Sequence, residues 1–184
     1  YSDPEIIGGG PFLDNGSHVL DLTRWFIGEP LSCVGTVQTS LWPIAPLEDN
    51  GYGIFQMDGG AVAMIHASWT EWKGYLYMEI YGSTGYIRID NRGNTCTTTV
   101  GDRRGQEQVF DFSDLPPTSY DAEFEDYVKA IAEARQPAPS GYDGLRAVEM
   151  AWAVYNSART GRRVDLYPSG VNSLNAYGKS TSSE

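Results

Sequence analysis

Asp14 and His18 stand four residues apart near the start of the chain. At helical spacing both project from one face. A carboxylate beside an imidazole fixes the ring's tautomer and supports its charged form, which a general base requires. The unperturbed imidazole pKa of about 6.5 suits that task near neutral pH. Gly16 lies between the two and has no side chain, which would let a flat ligand approach the backbone. A bland reading of the same residues makes Asp14 a helix cap and His18 a half-buried polar residue.

The pair needs a helix, and the pattern supplies one. Gly8-Gly9-Gly10 ends a loop, and Val19, Leu20, Leu22, Trp25, Phe26 and Ile27 then set an apolar pattern over residues 15–27, stopped by Gly28-Glu29-Pro30. Residues 31–40 are rich in β-branched types and read as a strand, and 41–50, with Pro43 and Pro46, as a loop. A hairpin follows: Tyr52 to Met57, a turn at Asp58-Gly59-Gly60, then Ala61 to Trp69. Further strands are expected over 75–81, 86–89, 95–100 and 106–112. Links this short imply antiparallel pairing.

After Pro116-Pro117 a helix starts near Tyr120. Its stripe of Tyr120, Phe124, Tyr127, Ile131 and Ala134 ends before Pro137 and Pro139. A second helix over 141–160 carries two adjoining apolar stripes (Leu145, Val148, Trp152, Tyr155; Ala147, Ala151, Val154, Ala158) and is expected to be well buried. Residues 162–167 read as a brief extended piece and 168–184 as a disordered polar tail. The expected fold class is α+β: a mostly antiparallel open sheet with helices packed on one face. Tyr75, Tyr77 and Tyr81 would line the open face, a candidate contact surface.

Thirteen Lys and Arg against 24 Asp and Glu give a net charge of −11 over 184 residues. That balance argues against nucleic acid or an anionic membrane surface as a partner. No apolar run reaches the roughly 18 residues of a membrane span. The two cysteines, Cys33 and Cys96, form no C-x-x-C. Two buried thiols in a reducing cytoplasm are the default, with one disulfide left open. His66, mid-strand, reads as structural. A metal site from Asp14, His18 and His66 would need ligands from distant segments, so no metal is expected. The chain opens on Tyr1-Ser2-Asp3-Pro4 without an initiator Met and reads as the middle and end of something longer.

The run G-G-G-x-x-x-D-x-G-x-H-x-x-D-L from Gly8 to Leu22, followed by Gly28-Glu29-Pro30, resembles the second-domain signature of the Gfo/Idh/MocA family of nicotinamide-dependent sugar and polyol oxidoreductases. Looser likenesses continue to Val164: Asp58-Gly59-Gly60-Ala61 before a strand ending Ser68-Trp69, Glu79 to Gly85, Phe124 to Ile131, and Asp143 to Glu149. The resemblance implies a fold like the C-terminal domain of dihydrodipicolinate reductase over 1–167, incomplete at its N-terminal side. It further implies NAD or NADP held mainly by an absent N-terminal domain, a sugar or polyol substrate, and homo-oligomers formed through the open sheet face. Asp14 and His18 become the catalytic pair, with His18 taking the hydroxyl proton as hydride leaves the substrate carbon. Trp72 and Tyr75, just before the Glu79-Ile80 strand, become substrate contacts. Two departures stand out. No G-x-G-x-x-G follows a strand, and the family's E-K-P lysine is missing, so the chain alone is expected neither to bind a dinucleotide normally nor to turn over. Two other readings compete: an NAD-dependent glycoside hydrolase of the same lineage, and a non-catalytic assembly module.

Overall fold

Glycine and proline punctuate the first thirty residues. Helix α1 (Pro4–Ile7) is one turn, begun by Asp3, whose carboxylate accepts the Glu5 N–H at 3.0 Å, and closed by Gly8 in the left-handed region at φ +77°. Helix α2 (Asn15–Ile27) follows the glycine loop and ends at Gly28, φ +93°. The structure is a computed structural model that describes residues 3–115 and 120–166. These fall into two compact units, one of residues up to Thr70 together with those from Pro139 on, the other of residues 71–138. The tail expected at 168–184, and Pro116-Pro117, lie outside the described residues.

In the first unit, β1 (Pro30–Gln38), β2 (Asn50–Met57) and β3 (Val62–Ser68) form an antiparallel meander. The short β8 (Val164–Asp165) pairs with β1, giving the order β3-β2-β1-β8. Cys33, Phe55 and Ala63 stand in register across one face, and Val34, Ile54 and Met64 across the other. The first face is covered. Phe12, Leu20 of α2, and Ala147, Met150, Ala151 and Val154 of helix α4 (Gly141–Thr160) pack on it with Phe55, Met57 and Ile65. Glycines in the strands permit this closeness. A Cβ on Gly35 would lie 2.7 Å from Val154 Cγ1, and one on Gly51 2.7 Å from the Phe12 ring. Beyond the end of β8, Ser157 Oγ accepts the Gly35 N–H at 3.0 Å and so satisfies a half-buried donor of β1.

A charged network joins the end of α2 to the start of α4. Arg146, 1% exposed, bonds Glu149 and reaches Glu29 at 3.1 Å, while Arg24 binds Glu29 at 2.5 Å and Asp143 at 3.3 Å. Burial raises the Glu29 carboxyl pKa, and the two guanidinium groups bring it below its ordinary value. The G-E-P and D-G-L-R-A-V-E segments are thus halves of one ion-pair cluster.

The second unit holds the meander β4 (Tyr77–Tyr81), β5 (Gly85–Asp90), β6 (Thr97–Asp102) and β7 (Glu107–Asp111), in that spatial order, and helix α3 (Tyr120–Ala132). The α+β class and antiparallel pairing hold, with the strands divided between two sheets rather than one. The Tyr77 and Tyr81 side therefore belongs to this second sheet, not to the helix-covered one; there Arg92 lies 4.2 Å over the Tyr77 ring.

Two expectations of burial are corrected. On α4 the Ala147, Ala151, Val154 stripe is buried, but Leu145, Val148 and Trp152 are exposed, because the sheet touches only the small-residue side. Cys33 is buried, with its thiol pushed up to about 12 by burial, whereas Cys96 is exposed; both are free. The α3 stripe of Tyr120, Phe124, Tyr127 and Ile131 is likewise exposed, and only Ala130 of that helix is buried. Among the described residues no helix is long and apolar enough to cross a membrane.

Candidate active site

Asp14 occupies the N-cap position of α2 and His18 follows within the first turns; both are exposed. Neither bland role applies. The Asp14 carboxylate makes no capping bond, and His18 is not half-buried. The two side chains form no ion pair with each other among the described residues, so the carboxylate stands unengaged beside the positive end of the helix. Gly16 has a different purpose from the one expected. It is buried, and a Cβ there would meet Pro11 O at 3.1 Å and Ala67 Cβ at 3.3 Å, so the close approach is to β3 rather than to a ligand.

What holds the loop ahead of Asp14 is a carboxylate that sequence reasoning passed over. Glu48, 5% exposed, accepts the Gly10 N–H at 2.9 Å, the Phe12 N–H at 3.2 Å and the Tyr155 hydroxyl at 2.7 Å. Burial, then the Glu48 carboxylate, push the Tyr155 phenol well above its ordinary range. These groups also explain the glycines. A Cβ on Gly9 would lie 2.5 Å from Tyr155 Oη, and one on Gly10 2.0 Å from Glu48 O. The glycine run is therefore filled from within the protein. Its Gly10 N–H is already bonded, so the loop does not fit a dinucleotide pyrophosphate.

The adjacent Asp49 is fully buried and orders the 40–49 loop. Its carboxylate accepts the N–H groups of Ser40, Leu41 and Trp42 at 2.8, 2.7 and 2.9 Å. Burial alone would raise its pKa; the donors outweigh that and hold it at about 2. Next to it Asn50 Oδ1 lies 3.2 Å from His66 Nε2, and the His66 ring stacks on Tyr52 at 4.3 Å. The only sign of these roles in the sequence is an acidic pair at the end of a proline-containing loop, which looks like surface.

Trp72 and Tyr75 belong to the second unit, in the coil before β4, and are 88% and 47% exposed. An open hollow of about 770 Å³ on that unit's sheet is lined by Ile80, Tyr86, Ile87, Val100 and Glu107, and by none of the four residues singled out above. Among the described residues no group of three His, Cys, Asp or Glu is placed to hold a metal.

Asp14 and His18 thus lie exposed at one helix start, on a sheet-and-helix layer braced by the buried carboxylates of Glu48 and Asp49. Residues 1–166 match the family model described as "Oxidoreductase family, C-terminal alpha/beta domain", and the chain belongs to the Gfo/Idh/MocA oxidoreductases. It is 27% identical over 168 residues to myo-inositol 2-dehydrogenase of Thermotoga maritima, covering 87% of this chain and 50% of that protein. To inositol 2-dehydrogenase of Rhizobium meliloti it is 30% identical over 172 residues, covering 86% and 50%. The chain spans about half the length of the curated relatives it matches. Levoglucosan dehydrogenase, solved with NADH and levoglucosan, shares the fold at a TM-score of 0.78 and 21% identity, over 90% of this chain and 52% of that one. Aldose-aldose oxidoreductase from Caulobacter crescentus, complexed with glycerol, gives 0.77 and 23%, over 89% and 50%.

Proposed function

We propose that residues 1–167 are the C-terminal substrate-binding and oligomerisation domain of an NAD(P)-dependent dehydrogenase acting on a CH–OH group of a sugar or polyol such as an inositol. The observation that carries this reading is the state of Asp14 and His18: exposed, on one helix start, with the carboxylate not used as a cap. His18 takes the hydroxyl proton, and Asp14 orients the ring or a neighbouring substrate hydroxyl. NAD or NADP, bound by polypeptide other than this chain's glycine loop, supplies the hydride acceptor. Trp72 offers an aromatic face to the C–H side of a sugar, and Tyr75 a phenol to its hydroxyls. The unpaired thiols of Cys33 and Cys96 fit a reducing compartment such as the cytoplasm.

For the homo-oligomer, the outer face of the first sheet is the best surface. Val34, Ile54, Val62 and Met64 are exposed there, and the outward residues of β1–β3 include no Lys, Arg, Asp or Glu.

The test uses the intact protein with NAD+ or NADP+ and a panel of inositols and aldoses, following nicotinamide reduction. His18→Ala is expected to lower kcat by about 10²–10⁴-fold and leave dinucleotide affinity unchanged. Near-normal turnover in that variant defeats the reading. Calorimetry on this chain alone is expected to show no saturable NAD+ binding.

A further inference from the structure

We propose that Glu48 is a positioning residue: its carboxylate fixes the glycine loop and thereby sets where Asp14 and His18 present their side chains. The inference rests on the acid–base reading above. A glutamate is rarely buried unless its charge is compensated. Here the compensation is two backbone N–H groups and a phenol rather than a Lys or Arg. The two N–H groups flank Pro11, which has none, so every donor from residue 10 to 12 points at one carboxylate.

From there the constraint passes directly into α2. Gly10 O accepts the N–H groups of Leu13 and Asp14 at 3.1 and 3.0 Å, and Pro11 O accepts that of Gly16 at 2.8 Å. Ser17 Oγ then donates to Asp14 O at 2.7 Å. The Gly10 carbonyl lies between the two N–H groups that Glu48 holds, those of Gly10 and Phe12, so fixing both ends of this short segment fixes the acceptor of the Asp14 N–H. Glu48 is itself held from two directions. Tyr155 ties it to α4, and the neighbouring Asp49 locks the loop from which it projects. Phe12, fully buried against Gly51 and Gly53, prevents the loop from sliding.

A residue that merely stabilises the fold would lower the melting temperature without touching the reactive pair, so the test reads the pair. In the intact protein, Glu48→Gln places an amide N–H₂ where one backbone N–H needs an acceptor, and Tyr155→Phe removes only the tether to α4. Three readouts are taken: peptide-resolved hydrogen exchange over residues 8–18, labelling of His18 by diethyl pyrocarbonate with His66 as internal reference, and steady-state kinetics with NAD+ and myo-inositol. Glu48→Gln is expected to speed exchange over 13–18 at least tenfold, with residues 147–154 unchanged. His18 labelling should change at least threefold, and kcat should fall at least tenfold with KM for NAD+ constant; Tyr155→Phe should fall between wild type and Glu48→Gln. Faster exchange confined to residues 8–12, with His18 labelling at the wild-type rate, overturns the inference. His18→Ala separates the two claims. Full activity in that variant removes the acid–base reading, whereas an inactive His18→Ala beside a fully active Glu48→Gln removes only the positioning role.

Discussion

Glycine at position 10 is required by what surrounds it, and glycine at position 144 is not. A Cβ on Gly10 would collide with Glu48 O at 2.0 Å, a backbone atom that cannot swing away. Gly10→Ala should therefore cost roughly 3 kcal/mol, read as a drop in urea midpoint, and should loosen the Glu48 clamp. Gly144 lies in α4 with nothing within 4 Å of its Cβ position and an ordinary helical φ. Gly144→Ala should stabilise by about 0.5–1 kcal/mol in the same experiment. Equal penalties for both would show that Gly10 is not packed against the Glu48 backbone. At this scale the placement of Asp14 and His18 at the start of α2 was legible because their spacing and neighbours are local. Glu48 was not, since a carboxylate 38 residues from Gly10 in sequence has no local mark of being buried against it.

Elements here are fitted to one another through small residues and buried charge. Helix α4 lies close on the sheet because Gly35 and Gly53 leave room for Val154, and its own facing residues are mostly Ala. Asp49 does the same for the 40–49 loop by replacing missing backbone acceptors with a carboxylate. Its folded pKa of about 2 is below the ordinary aspartate value, so its contribution is fully present above about pH 5 and is lost as pH falls toward 2. The size is about 2 kcal/mol. Asp49→Asn should be destabilised by about that amount at pH 7, and the gap to wild type should close between pH 5 and pH 2 in urea titrations. A gap independent of pH would mean that the charge is not what orders the loop. The boundaries of α2 and α4 were readable at both ends because glycine and proline stop them locally. Which of the two α4 stripes faces the sheet was not, because both are apolar and only the partner's shape chooses the one made of small residues.

For the molecule as a whole, charge and exposed apolar surface are the governing quantities. A chain of net charge −11 repels its copies, yet the outer residues of β1–β3 carry no acidic or basic group. Met64→Glu, on that face and 80% exposed, should leave the fold intact and convert the proposed oligomer to a smaller species in sedimentation. An unchanged sedimentation coefficient would remove the face from consideration. The sequence by itself determined the α+β class, the antiparallel pairing, the two late helices and the placing of Asp14 and His18 at the start of α2, since each depends on periodicity, turn chemistry or spacing within a few residues. Tertiary structure alone decided that the strands divide into two sheets, that β8 completes the first of them, and that Gly9, Gly10 and Gly16 admit protein atoms rather than a ligand. It also decided that Glu48 and Asp49 are buried. Those facts depend on which distant segments meet, and burial of a polar group is a property of its surroundings rather than of its own residue type.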